Sequence, residues 1–383
     1  MNSVRFGILG AGRGADLAQA IHHAPTAELV AICDQDMERL VNVTDKFPTL
    51  KTYNSWAAML DSDIDAVIVA SPMPLHVQHS IDALKAGKHV LSEVTAATSI
   101  EQCWQLLEAV LSSNRKYMLA SNYCYMRSWS IVMGLVKAGK FGQLYYGEAD
   151  QIQDFKAGFP HPKQGYNWRT EELALRRGHH YITHDLGPLY QAFGERITQV
   201  VCLGSGQHHL SWAQADDTCI VLCHTEQGKL IRIRLDFFSS RPTNFVYYGL
   251  QGTDACYEAP RGVQDQHKIY IDGQTPQGTW QDLWEFKDYL PDAWKQVAKE
   301  SVDDSYNGGT PLMIEDFSRC IIEDRRPPID IVDALNMTAP GLVSEISRER
   351  GGVPVDVPDL SLIHISEPTR RYASSYAVFC LKK

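Results

Sequence analysis

A chain of 383 residues that is 44% apolar and 21% charged has the composition of a soluble globular protein and the length for two domains, each with its own core. A formal net charge of −10 with no block of Lys or Arg excludes nucleic acid or an anionic membrane as the main partner and points to a small molecule. No apolar stretch approaches the roughly 20 residues of a membrane span, the first strand starts near Val4, too early for a signal peptide, and the nine cysteines show no CxxC pair, so reduced thiols and a cytoplasmic location are expected.

Apolar runs at Val4–Leu9, Leu29–Cys33, Ala66–Ala70, His89–Leu91 and Tyr117–Ala120 alternate with helical patterns at Ala15–His23, Met37–Phe47, Leu75–Ala86 and Ile100–Leu111. Such alternation predicts a doubly wound parallel α/β sheet with helices on both faces, ending near Asn122, and places a ligand beyond the carboxyl ends of its strands. A short helix, Trp129–Ala138, follows, and then the period changes to two in LYYGEADQI, QVVCLGSG, TCIVLCHTE, KLIRIRLDFF and NFVYYGLQG. These segments predict an α+β domain over residues 123–359, with an open, mostly antiparallel sheet covered by helices on one face and a hairpin turn at Gln227-Gly228. Helical periodicity returns from Thr310 to Arg348, interrupted by RRPPID. From Leu360 onward the text stops fitting: SLIHISEPTR resembles a translated transposase adapter from sequencing libraries, and AVFCLKK the flow-cell end of the same adapter. Residues 360–383 are therefore read as a non-native tail and excluded, which leaves open whether native residues follow Asp359.

The first strand runs into FGILGAGRGA. Gly10 allows a tight turn, Gly12 lets a pyrophosphate approach bare backbone, and Ala15 stands where a third glycine would let helix pack closely on strand. Arg13 and Gly14 complete this loop, and the helix that follows offers N–H groups and its positive end to phosphate. Asp34 arrives at the end of the second strand, where an acidic residue binds the ribose 2′-OH and repels a 2′-phosphate. NAD is the expected cofactor.

Ser92-Glu93-Val94-Thr95, Asn122-Tyr-Cys-Tyr125, Ser71–His76 (SPMPLH), the phrase KAGKHVLSE and GHHYITHDLGP opening a helix make residues 1–359 similar to the glucose–fructose oxidoreductase and inositol dehydrogenase superfamily. The resemblance implies a Rossmann domain contacting NAD through Ser71, His76 and Glu93 as well. It also implies a second domain whose open sheet makes a homo-oligomer, a dimer or tetramer. The usual Glu-Lys-Pro is here Glu93-Val94-Thr95, and the usual D-x-x-x-H is His180-Tyr-Ile-Thr-His184. The lysine and one carboxylate are missing from the acid/base set that alcohol oxidation normally uses.

SEVTAATSIEQCWQLLEAV, NYCY, KFGQLYYGEADQIQD, YNWR and YITHDLGP more closely resemble the NAD-dependent α-N-acetylgalactosaminidases, glycoside hydrolase family 109. That resemblance implies a redox-neutral glycosidase: transient oxidation of a sugar at C3, removal of the C2 proton, elimination of the aglycone, addition of water and re-reduction, the exception to the two-carboxylate scheme. It places Glu93, Arg169, Tyr181 and His180 around the sugar. Tyr125 is assigned the C2 proton and His184 the C3 hydroxyl proton, and the reverse assignment fits the residues equally. Thr243 follows Arg241-Pro242 where the family has tyrosine, which leaves the sugar open. The alternative is a sugar or cyclitol dehydrogenase, or one making a 3-keto-glycoside; a sensor without turnover is a third reading. Each side chain also has a plain structural role open to it: His184 as a cap, Tyr125 as a packed aromatic, Glu93 capping the next helix, Arg169 paired with Glu171 or Glu172. His180 and His184 offer two metal ligands without a third, so no metal is expected.

Overall fold

A computed structural model describes residues 3–161, 163, 165, 167–242, 244–296 and 308–361. The first sheet holds six parallel strands in the order β3-β2-β1-β4-β5-β6, the arrangement of a Rossmann domain. Its strands are β1 (Val4–Leu9), β2 (Ala27–Cys33), β3 (Lys51–Tyr53), β4 (Ala66–Val69), β5 (His89–Ser92) and β6 (Tyr117–Leu119). Between them run α1 (Ala11–His22), α2 (Met37–Thr44), α3 (Trp56–Leu60), α4 (His76–Lys85) and α5 (Ile100–Leu111). With helices on both faces, β1 and β4 are buried along almost their whole length, which is why they read as unbroken apolar runs. Short polar residues set the helix starts: Asp36 accepts from the backbone N–H of Glu38 and Arg39, and Ser99 accepts from that of Gln102.

Helix α1 begins at Ala11, four residues earlier than its apolar pattern predicts, so the glycine loop is itself the first turn. A Cβ on Gly14 would lie 2.6 Å from Cγ2 of Ile8, so Gly14 is the residue that brings helix onto strand. Ala15, assigned that role from the sequence, is half-buried one position further round the helix.

After α6 (Arg127–Lys137) comes a mixed, mostly antiparallel sheet of nine described strands, β14-β13-β12-β11-β7-β10-β9-β8-β15. Its centre is β7 (Leu144–Ile152), β10 (Leu230–Asp236), β9 (Cys219–Thr225) and β8 (Ile197–Gly204), flanked by β11 (Asn244–Gly252). The outer strands β12 (Ala255–Glu258), β13 (Lys268–Ile271), β14 (Gln281–Asp282) and β15 (Val355–Asp356) carry no sequence signal that we read. β10 runs parallel to β7, while the β9–β10 hairpin turns at Gly228, where φ is 83°. On the inner face, α7 (Thr183–Phe193) closes on β7 at Gly147, where a Cβ would meet the Phe193 ring at 2.8 Å, and α9 (Ile331–Glu349) lies across β8. The outer face alternates exposed Ile220 and Leu222 with a charged centre in which Arg232 pairs with Glu148 at 2.9 Å and Asp150 at 2.7 Å.

The helical stretch after Thr310 is two helices, α8 (Gly309–Ile322) and α9, broken at RRPPID as the prolines require. This returning chain grips the first domain. Phe317 of α8 packs on Phe6, with ring centroids 6.3 Å apart, Glu315 accepts from the Thr26 N–H at 2.8 Å, and the Leu119 N–H donates to the Ile329 carbonyl at 3.0 Å. Leu360 is buried against this core, whereas residues 362–383 of the expected tail lie outside the described residues.

Candidate active site

A cleft of about 840 Å³ opens at the carboxyl ends of the first sheet. Its floor is the glycine loop. At Gly10 φ is 101°, and a Cβ there would lie 2.4 Å from the Ala70 carbonyl oxygen, so the β1–α1 turn fits only without a side chain. Around Gly12 a Cβ would meet nothing nearer than Arg39 Nη1 at 3.5 Å, which leaves bare backbone facing the cleft. Asp34 closes this end: one carboxylate oxygen accepts from the Ala11 N–H at 2.7 Å and the other from the Asp36 N–H at 2.9 Å. The turn, the exposed helix start and the acidic residue together fit a dinucleotide.

The neighbouring loop is braced by histidines. His76 is buried, with Nδ1 2.9 Å from the Thr95 carbonyl and Nε2 2.8 Å from the Ser71 carbonyl, so it ties the β4–α4 turn to the segment after β5. Ser71 Oγ lies 2.9 Å from His79 Nδ1. Glu93, at the end of β5 and 8% exposed, binds Arg13 Nε through Oε1 at 2.8 Å. Arg13 also holds Asp16 at 3.0 Å. Glu93 therefore caps no helix; it crosses the cleft to the glycine loop, and Val94 beside it lines the wall where the dehydrogenase pattern has lysine.

The second domain supplies the opposite wall from Asn167, Trp168, Arg169, Tyr181 and His184. His184 sits in the first turn of α7, with its ring stacked on Tyr123 at 4.1 Å and its Nε2 3.3 Å from the Tyr181 hydroxyl. Burial pushes its imidazole down to about 4, with the Glu93 charge acting the other way. The ring is neutral at pH 7, and its Nδ1 has no hydrogen-bond partner among the described residues. Arg169 is exposed, stacked on Trp168 at 4.4 Å, and makes no ion pair among the described residues; Glu172 is taken by Arg176 at 2.7 Å.

A model of the glycosyl hydrolase 109 C-terminal domain matches residues 125–363, more than half of the chain. The chain belongs to glycosyl hydrolase family 109. Residues 4–121 match the oxidoreductase family with an NAD-binding Rossmann fold, so NAD is the cofactor. A family 109 protein of Stenotrophomonas maltophilia is 27% identical over 94% of this chain and 89% of its own length. An α-N-acetylgalactosaminidase of Shewanella oneidensis is also 27% identical, over 94% of this chain and 86% of that one. Among solved structures, levoglucosan dehydrogenase with NADH superposes with a TM-score of 0.80 at 19% identity, covering 93% of this chain and 100% of its own. An NAD-binding oxidoreductase from Klebsiella pneumoniae gives 0.77 at 19% identity, covering 93% and 99%. At such identities these two show the shared fold.

Within this family 109 chain two of the expected site residues do not line the cleft. Tyr125 does not face the cleft: it lines a separate cavity of about 970 Å³ behind α6 and α8, where its hydroxyl donates to Asp316 at 3.1 Å. Burial, and then the Asp316 charge, push its phenol well up, so it holds its proton. His180 also turns away, with Nε2 donating to the Arg177 carbonyl at 2.8 Å and lying 3.5 Å from Glu345. Two residues were overlooked in the segment already singled out. Tyr123 is the tyrosine against His184, and the buried Asn122 lines the cleft with an Nδ2 that has no partner among the described residues. Thr243, and Tyr166 of YNWR, lie outside the described residues.

Proposed function

We propose that this protein is a redox-neutral, NAD-dependent glycosidase. The observation that carries the reading is the Tyr181–His184 pair, a neutral imidazole and a phenol 3.3 Å apart in the cleft wall that faces the glycine loop. Ordinary glycoside hydrolysis needs two carboxylates flanking the bond. The carboxylates of this cleft are committed elsewhere, Asp34 to the Ala11 and Asp36 N–H groups and Glu93 to Arg13.

Bound NAD supplies reversible oxidation of a sugar carbon, which acidifies the neighbouring C–H. Asn122 Nδ2, with Gly12 and the helix start, holds the dinucleotide's polar groups. Arg169 and Trp168 hold the sugar at the mouth, the guanidinium on its hydroxyls and the indole against its apolar face. Tyr181 passes the sugar hydroxyl proton to His184 Nε2 as the hydroxyl is oxidised, the imidazolium gives that proton up to solvent, as its low proton affinity favours, and the neutral ring then takes the C2 proton by the same route. Val94 keeps a cation away from that exchange. We further propose that two copies pair through the outer sheet face around Ile220 and Leu222, which sedimentation would show as a dimer or tetramer and Leu222→Glu would weaken.

The test is incubation with aryl glycosides and catalytic NAD⁺ while aglycone and NADH are followed together. Aglycone without stoichiometric NADH, with solvent deuterium at C2 of the product, is expected. Stoichiometric NADH with intact glycoside overturns the reading in favour of a dehydrogenase.

A further inference from the structure

Helix α7 contains Pro188 in its interior, four residues after His184. Proline has no N–H, and its ring crowds the carbonyl four positions earlier. The carbonyl deprived of its helical donor is therefore that of His184. In a residue only 7% exposed such a group needs a partner from elsewhere. The partner is a side chain of the second sheet: the Tyr248 hydroxyl donates to the His184 carbonyl oxygen.

Tyr248 is built to do this. It lies in β11 opposite Ala149 of β7, is 2% exposed, and packs its ring at 5.1 Å from that of Trp129. Burial holds its phenol well above the ordinary value, so the hydroxyl stays a donor. On the other side of the residue, the His184 ring is fixed between Tyr123 and Tyr181. Backbone and ring are thus held from different sides, the carbonyl by Tyr248 of β11 and the ring by Tyr123 and Tyr181.

We propose that Tyr248 is a positioning residue for His184: its hydroxyl replaces the donor that Pro188 lacks and so fixes the imidazole against Tyr181. The proposal rests on His184 acting in the reaction described above. It separates the role of Tyr248 from mere packing, because alanine at 188 would restore an N–H in register with the same carbonyl. The helix could then do for itself what the tyrosine does.

Four proteins test it: wild type, Tyr248→Phe, Pro188→Ala and the double variant. Tyr248→Phe lowers kcat about tenfold, the rate equivalent of roughly one hydrogen bond, with KM and NAD⁺ affinity unchanged. In the Pro188→Ala background the same substitution costs less than about twofold, since the carbonyl keeps a donor. An equal loss in both backgrounds, or none in either, overturns the proposal. The ¹⁵N shifts of the His184 ring, assigned by their disappearance in His184→Asn, are read on the same four proteins without turnover. They move in Tyr248→Phe and return in the double variant. Should wild type release no aglycone and form no NADH, the glycosidase reading fails, and ring shifts that do not move in Tyr248→Phe would still overturn the positioning role.

Discussion

Replacing His184 with glutamine removes a buried imidazole whose proton affinity the cleft wall has set. In the folded protein burial holds it at about 4, against an ordinary 6.5; the unfolded chain presents the ordinary value. Between those two values the unfolded state takes a proton that the folded state refuses. This contribution to stability is therefore intact above pH 6.5, is lost progressively as pH falls toward 4, and changes no further below that. At 1.36 kcal/mol per tenfold in proton affinity the full loss is about 3 kcal/mol, and about 2–3 kcal/mol has gone by about pH 4.5. His89 and His267, also held down to about 4 by burial, steepen the acid limb of both proteins equally and cancel in the comparison. Urea unfolding of wild type and His184→Gln at about pH 7.5 and about pH 4.5 reads the difference. Wild type should lose about 2–3 kcal/mol more than the variant on acidification. Equal losses would refute a neutral, buried His184, and with it the acid/base role given to the ring. The acid limb of kcat, where the imidazole gains its proton, should therefore lie near 4 and not near 6.5.

Asp34→Ala removes the acceptor of two backbone N–H groups as well as the ribose contact, so NAD⁺ affinity measured calorimetrically should fall about tenfold or more, and the preference over NADP⁺ should shrink. Gly14→Ala forces a methyl to within 2.6 Å of Ile8 Cγ2 and should cost about 1–3 kcal/mol in urea unfolding; an unchanged midpoint would show that α1 has room to shift. Arg169→Ala should raise KM for the glycoside about tenfold at unchanged kcat. Its unfolding midpoint should stay put, because the guanidinium is exposed and makes no ion pair among the described residues.

The first domain was legible because two periodicities reinforce one another. Strands buried on both faces read as apolar runs, helices between them read at 3.6, and the glycines mark the turn where one becomes the other. What failed there was a matter of one position: the fingerprint fixes the spacing of Gly10 and Gly12, but whether Gly14 or Ala15 meets Ile8 depends on where α1 begins, and it begins inside the loop. In the second domain the long strands were visible from alternation, whereas β14 and β15 are two residues long and too short to show a period. At the site, the segment 122–125 was found from its text, yet the facing of Tyr123 toward His184 and Tyr125 toward Asp316 is decided by packing against α7 and α8. No spacing rule carries that information. His180 and His184 stand four apart in a segment expected to open a helix, but α7 begins at Thr183, after His180, so the two rings do not share a helix face.

The hydrogen bond from Leu119 to Ile329 has a consequence for how the molecule can be taken apart. Strand β6 is the last of the first sheet, and its open side would be a template for pairing with other chains. A segment more than two hundred residues later closes it, while Glu315 and Phe317 hold the start of β2 and the middle of β1 in the same sheet. The dinucleotide-binding half is complete in connectivity by Leu119 but not in its surface. Expressed without residues 309–330 it would present a bare strand and the uncovered ring of Phe6, and would be expected to aggregate. The last third of the chain works as the outer hoop of the first.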